Sequence, residues 1–209
     1  MRLYSYFRSS AAYRVRIALN LKEVDHELIP VNLLKSEQKG DDYKNIQPQG
    51  LVPALAVGNK RLIQSMAILE WLEDSYPEPA IIPGDAWQKS QIRSLANLIS
   101  CDIHPLNNLR VLNYLKSEFE MTDEQKAHWY QHWIKTGFDA FEQLLGNSRF
   151  CIGDTPTLAD ICLVPQVYNA LRFNVPLTDY PNIQRIYQQC NELNAFIDAS
   201  PEQQPDSTL

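Results

Sequence analysis

No run of basic residues, no membrane-length apolar stretch and no Cys-x-x-Cys pair occurs in these 209 residues. Each absence excludes a class of protein. Lysine and arginine number 19 against 25 aspartates and glutamates, a formal net charge of −6. The chain therefore lacks the electrostatic footprint of a nucleic-acid binder. No apolar run approaches the roughly 20 residues of a membrane span, so neither nucleic acid nor membrane is expected as a partner. Cys101, Cys151, Cys162 and Cys190 lie far apart, with no histidine at metal-ligand spacing. They read as free thiols of a reducing cytoplasm rather than a disulfide framework or a zinc site. The opening Met1-Arg2-Leu3-Tyr4 enters a strand directly, which leaves no room for a secretory signal. Repeats and low-complexity segments are missing too.

What is present is a globular balance, 44% apolar and 21% charged, long enough for one large core or two small ones. The order of elements divides it. Arg2–Tyr6 reads as a strand, Ala11–Leu21 as a helix and His26–Val31 as a second strand. Pro53–Val57 and Arg61–Ile63 form a hairpin around Gly58-Asn59. In the helix Ser65–Tyr76, Ile68, Leu69 and Leu72 share one face. That succession predicts one sheet with helices packed on it, over residues 1–80. Pro77, Pro79, Pro83 and Gly84 mark a break, with a linker at 81–86.

Residues 87–209 then read as all-helical. Gln88–Leu115 is expected as one helix kinked at Pro105, Thr122–Leu145 as a second and Thr157–Phe173 as a third, interrupted or bent at Pro165. Tyr180–Ala199 is the fourth, opened by Pro181. Thr157 and Asp160 have the spacing of a capping box, a structural rather than catalytic role.

Tyr6-Phe7-Arg8-Ser9-Ser10 places two hydroxyls and an arginine where a strand gives way to a helix. The first N–H groups of a helix lack intrahelical partners and carry partial positive charge. An anion is favoured there; alternatively, Ser9 or Ser10 is only an N-cap. Gln64-Ser65 repeats the arrangement at a second junction. In an acidic chain that binds an anion, arginines must be concentrated locally, which draws notice to Arg8, Arg110 and Arg172.

The run Ser9-Ser10-Ala11-Ala12-Tyr13-Arg14-Val15-Arg16-Ile17-Ala18-Leu19, with Leu51-Val52-Pro53-Ala54-Leu55 and Gln64-Ser65, resembles the glutathione transferases. Within them it is most similar to the zeta class, the maleylacetoacetate isomerases, and to the related bacterial maleylpyruvate isomerases. Ala11 stands where that motif has a cysteine. The likeness covers nearly the whole chain. It implies the glutathione transferase fold, an α/β thioredoxin-like N-terminal domain followed by an all-α C-terminal domain. It also implies glutathione as cofactor and a symmetric homodimer, with Met66 and Trp71 at a seam between subunits.

By that resemblance Ser9 is the main activating hydroxyl for the cysteinyl thiol and Ser10 a supporting donor. Val52, ahead of a cis proline, offers its backbone to the tripeptide as an added strand. Gln64 and Ser65 take the γ-glutamyl carboxylate. His104 and Asn108 are candidate glutathione contacts. Arg8 is a candidate for the enolate and substrate carboxylate, a role that suits a forked guanidinium. Arg110 and Arg172 are further candidates for substrate. Arg14 and Arg16 read as structural or interfacial. The implied activity is cis-trans isomerisation of maleylacetoacetate or maleylpyruvate to the fumaryl isomer, in tyrosine and other aromatic breakdown. Thiolate addition, bond rotation and elimination accomplish it. Two alternatives are a general glutathione transferase or haloacid dehalogenase, and a non-catalytic interaction domain of the same fold.

Overall fold

A computed structural model describes all 209 residues, which divide into two units. Met1–Ile81 and Asn191–Leu209 form the first, Ile82–Cys190 the second. In the first unit, β1 (Arg2–Ser5), α1 (Ser10–Leu21), β2 (Glu27–Pro30), the single turn α2 (Asp41–Lys44), β3 (Ala54–Val57), β4 (Lys60–Ile63) and α3 (Ser65–Ser75) follow in order. The strands form one sheet in the order β2-β1-β3-β4. β1 runs parallel to β2, with Leu3 opposite Leu28, and antiparallel to β3, with Leu3 opposite Leu55. β3 and β4 close the hairpin predicted around Gly58, whose φ of 57° suits glycine.

The period-two alternation of β1 and β3 determines the faces. Leu3 and Leu55 are fully buried. Tyr4, Ala54 and Ala56 join Tyr6, Phe7, Val31, Tyr43 and Val52 in a separate cluster. Helices α1 and α3 pack on each other. Lys22, at the end of α1, has a fully buried side chain whose ammonium meets Glu73 Oε2 at 2.8 Å. Val52-Pro53 is cis, as the resemblance implies, and so is Glu78-Pro79.

In the second unit, α4 (Ala86–Asn97) starts at Asp85, whose Oδ1 accepts from Gln88 N–H at 2.9 Å. The single kinked helix expected over 88–115 is not formed. α4 passes into a π-helical segment, Leu98–Ile103, and the chain turns before α5 (Leu109–Glu118). Pro105 has no N–H to continue the ladder, and Asn108 starts a new helix by accepting Arg110 N–H at 3.1 Å. α6 spans Asp123–Leu144, and its Gly137 faces Ile103 closely enough that a Cβ would collide. α7 (Leu158–Arg172) runs through Pro165 without a break and is buried along most of its length, packed against α4 and α8 (Pro181–Cys190).

At its N-terminus, Asp160 Oδ2 accepts from the Thr157 N–H and hydroxyl, each at 2.8 Å, and Oδ1 from Cys151 N–H at 2.8 Å. The anticipated structural role of Asp160 is what this arrangement provides.

The expected boundary of 87–209 for the helical domain needs correction, as does the single helix over Tyr180–Ala199. The helix stops at Cys190, and the chain returns to the first unit, where it forms only the short α9 (Asn194–Ile197). Side chains of α1 hold it there. Tyr13 Oη donates to Phe196 O at 3.3 Å, Asn20 Nδ2 to Ala195 O at 3.1 Å and Arg16 Nε to Ala199 O at 2.9 Å. The buried Arg16 Nε would otherwise lack this acceptor, which is unfavourable.

Candidate functional site

The β1–α1 junction is a tight turn. Ser9 N–H donates to Tyr6 O at 2.9 Å, and Ser9 occupies the N-cap position with φ −72° and ψ 113°. Its Oγ accepts from Ala12 N–H at 3.2 Å. The N-cap role is therefore real, yet it does not exhaust the hydroxyl. An oxygen that accepts from a helix amide keeps its own proton to give away. Ser10 opens α1 and is buried. Arg8 lies with its guanidinium carbon 5.0 Å from the centroid of the Phe7 ring, and its Nε is buried with no hydrogen-bond partner. A buried cationic donor without an acceptor calls for an anion.

Val52 packs in the same apolar cluster as Tyr6 and Phe7, so the entry to β3 adjoins the β1–α1 turn. The chain's own backbone hydrogen bonds engage neither the N–H nor the C=O of Val52. At the second junction Gln64 adopts φ 72° and ψ 116°, a strained choice for a residue with a side chain. Gln64 does not cap α3; its Nε2 donates to Gln49 Oε1 at 2.7 Å instead. Ser65 is buried, and its Oγ accepts from Arg14 Nη1 at 3.5 Å. The N-terminus of α3 thus has a cationic side chain behind it and no side-chain cap on it. A free carboxylate suits that arrangement. Glutathione offers what these groups lack: a carboxylate for α3, a backbone for Val52 and a sulfur for Ser9. The residues present fit it.

The remaining candidates lie in the second unit, three of them around the turn between the π-helical segment and α5. His104 is half-buried there. The Oδ1 of Asn108 is committed to capping α5. Arg110 is exposed. Arg172, at the end of α7, is exposed and lies 4.8 Å from the centroid of Phe173. That ring stacks on Tyr130 at 3.6 Å. Tyr130 also accepts from Asn107 Nδ2 through its carbonyl, at 3.2 Å. Burial raises the Tyr130 phenol to about 12 against the opposing pull of Arg172. Tyr130 therefore ties the end of α7 to the Asn107–Arg110 segment.

Sequence reasoning missed Tyr130, Gln49 and the part Arg14 takes behind Ser65. An arginine inside the apolar run Tyr13–Leu19 was the one visible signal, since buried charges are rare without partners. Cys151 and Cys190 do not compete as nucleophiles: burial pushes both thiols up, away from the thiolate.

Residues 1–74 match the family model described as Glutathione S-transferase, N-terminal domain, and 123–189 that of the C-terminal domain. The chain is 50% identical over 211 residues to a maleylpyruvate isomerase of Ralstonia sp., covering 99% of this chain and 100% of the relative. Against a maleylacetoacetate isomerase of Pseudomonas aeruginosa the identity is 46% over 210 residues, 99% of each chain. Among solved structures, a holo maleylpyruvate isomerase described as a zeta-class bacterial glutathione S-transferase superposes with a TM-score of 0.98 at 50% identity, over 100% of both chains. A maleylacetoacetate isomerase of Methylobacterium extorquens, solved with malonate and glutathione bound, gives 0.97 at 34% identity, again over 100% of both.

Proposed function

Because the chain belongs to the glutathione transferase family, in the zeta class of maleylacetoacetate and maleylpyruvate isomerases, we propose that it isomerises a maleyl keto acid to its fumaryl isomer with glutathione as cofactor. The substrate is maleylacetoacetate or maleylpyruvate, in the breakdown of tyrosine and related aromatics. When bound, glutathione supplies a sulfur nucleophile that adds reversibly to the cis double bond, so that the bond can rotate before the sulfur leaves. The observation that carries the reading is the Ser9 hydroxyl, which accepts from Ala12 N–H at the positive end of α1 and keeps its proton for a thiolate.

The chain's own residues then have distinct tasks. Ser9, supported by Ser10 and the helix terminus, stabilises negative charge on sulfur. A free thiol titrates near ~8.5, and each unit of lowering corresponds to about 1.36 kcal/mol. Val52 pairs with the backbone of the tripeptide, while Gln64 and Ser65, backed by Arg14, hold its γ-glutamyl carboxylate. His104 and Asn108 are further proposed glutathione contacts. Arg8, with its orphaned buried Nε, stabilises the charge that develops on substrate oxygen. Arg110 and Arg172 are the proposed partners of the substrate's carboxylates. Ala11 supplies no thiol, so none of these tasks falls to a protein cysteine.

Ser9→Ala tests the assignment. It should raise the titration midpoint of the bound thiol, followed by thiolate ultraviolet absorbance, by about 1–2 units, and lower kcat at neutral pH accordingly. An unmoved midpoint transfers the role to Ser10. Arg8→Ala should damage isomerisation more than glutathione binding, and equal loss of both refutes its role. Turnover with catalytic glutathione marks an isomerase, whereas stoichiometric consumption assigns conjugation instead. We also infer a cytoplasmic symmetric homodimer. Four free cysteines suit a reducing compartment, and half-buried Trp71 and Met66 on α3 suit a seam. A monomeric mass at micromolar concentration contradicts the dimer.

A further inference from the structure

The returning tail makes one bond that its anchoring alone does not explain. After α9 it forms a short turn at Pro201–Gln203, where the buried Gln204 donates through Nε2 to Asp198 O at 2.9 Å and Ser200 O at 2.8 Å. The fold of the tail is thus internally satisfied before Asp206 is reached. Asp206 Oδ2 then accepts from Phe7 N–H at 3.0 Å, across 199 residues of sequence. Phe7 is two residues before Ser9 and one before Arg8.

The other side of the same residue is also held. Arg16 Nη2 donates to Phe7 O at 3.0 Å, and its Nη1 to Ser5 Oγ at 3.0 Å and Tyr6 O at 3.5 Å. Tyr6 O is also the acceptor of Ser9 N–H. One carboxylate and one guanidinium therefore grip the N–H and the C=O of a single residue at the start of the turn. The two charged groups are close enough that Asp206 favours the charged form of Arg16. Burial lowers Arg16 to about 10, with Tyr13 and Asp206 acting in the opposite direction, so it remains cationic at neutral pH.

We propose that Asp206 is a positioning residue for the thiolate-activating turn: its carboxylate fixes the Phe7 peptide, and through it the aim of the Ser9 hydroxyl and the Arg8 guanidinium. This rests on the role of Ser9 proposed above. The carboxylate acts as a hydrogen-bond acceptor toward Phe7. Its second oxygen, Oδ1, is buried without a partner, so an amide in its place breaks no hydrogen bond there and gives up only the attraction to Arg16. Asp206→Asn keeps an oxygen for Phe7 N–H, and Asp206→Ala removes it.

Three measurements test the proposal: hydrogen exchange at the Phe7 amide in the glutathione-free protein, the thiolate titration of bound glutathione, and kcat. In Asp206→Ala the Phe7 amide should exchange at least about tenfold faster. The thiol midpoint should rise by about one unit, and kcat at neutral pH should fall by about tenfold or more. Asp206→Asn removes the same charge but keeps the acceptor for Phe7 N–H, so it should recover most of each effect.

Faster Phe7 exchange with an unmoved thiol midpoint makes Asp206 merely structural and overturns the proposal. So does an Asn variant as impaired as the Ala variant. Ser9→Ala, run alongside, separates the two readings. If it raises the thiol midpoint while Asp206→Ala does not, the positioning role alone fails. If Asp206→Ala raises the midpoint and Ser9→Ala does not, the turn is positioned by Asp206 but Ser9 is not its activating group. Should the alanine variant not fold, Asp206→Glu displaces the carboxylate by one methylene and is read on the same measurements, with shifts expected in the same directions.

Discussion

Replacing Lys22 with methionine should loosen α1 and α3 together, and the geometry bounds by how much. An ammonium has three protons to donate. At Lys22 they go to Glu73 Oε2 at 2.8 Å, Tyr76 O at 2.6 Å and Pro79 O at 2.9 Å, from a side chain with no exposure. Glu73 Oε2 also accepts from Ile81 N–H at 3.0 Å. One cation therefore closes the end of α1, the end of α3 and the segment leaving the first unit. Methionine matches its length and removes every donor.

The Glu73 carboxylate, 15% exposed, then loses its cation, and breaking such a buried pair on one side costs about 3–5 kcal/mol. In Lys22→Met/Glu73→Gln the uncompensated charge disappears while the amide oxygen still accepts from Ile81 N–H, and the two carbonyls are left without the ammonium in both variants alike. The double variant should thus be more stable than the single one. The two units need not unfold together, so a single global melt is a poor readout. Native-state hydrogen exchange across α1 and α3 is the right assay. Opening in Lys22→Met should rise by about two to three and a half orders of magnitude, at about 1.4 kcal/mol per decade. A change under about 1 kcal/mol, or a double variant no better than the single, refutes the reasoning.

Two further outcomes follow from packing in the second unit. Asp160→Ala strands three donors, the Cys151 and Thr157 amides and the Thr157 hydroxyl, and should lower the stability of the second unit by about 3 kcal/mol or more, read as hydrogen exchange across α7. Burial raises the Asp160 acid above its ordinary range, against the pull of its hydrogen bonds. The folded state therefore binds its proton more tightly than the unfolded one, and this group's contribution should fall as pH rises from about 3.9 through the raised value. The difference between wild type and Asp160→Asn isolates that slope, and a contribution rising with pH contradicts it. Gly137→Ala drives a methyl into Ile103 and should lower stability by about 1–3 kcal/mol, partly recovered by adding Ile103→Val. Unchanged hydrogen-exchange protection across α6 counts against a tight crossing of α6 on the π-helical segment.

Elements whose signals lie within a turn or two of themselves were legible in the sequence. The hairpin at Gly58-Asn59, the start of α8 at Pro181 and the pairing of Thr157 with Asp160 are of this kind, because caps and turns are local chemistry. The Ser9-Ser10 and Gln64-Ser65 junctions were visible for the same reason. Where local signals compete, reading them in order is not enough. Pro105 suggested a kink, yet Asn108 captured the Arg110 amide and began another helix. The helical pattern after Pro181 suggested a continuous run to Ala199, yet the helix ends at Cys190 and the partners that hold Ala195, Phe196 and Ala199 are on α1.

Local patterns alone specified the four strands of the sheet with α1 and α3, the two junctions that suit an anion and the family resemblance. Periodicity, capping residues and motif spacing all act over a few neighbouring positions. Folding of the whole chain made the other decisions: residues 191–209 complete the first unit, Arg14 stands behind Ser65 and Asp206 holds Phe7. Those decisions bring together groups 51 and 199 residues apart. They arise because a buried donor or carboxylate must find a partner wherever the folded chain supplies one, and no local pattern records where that is.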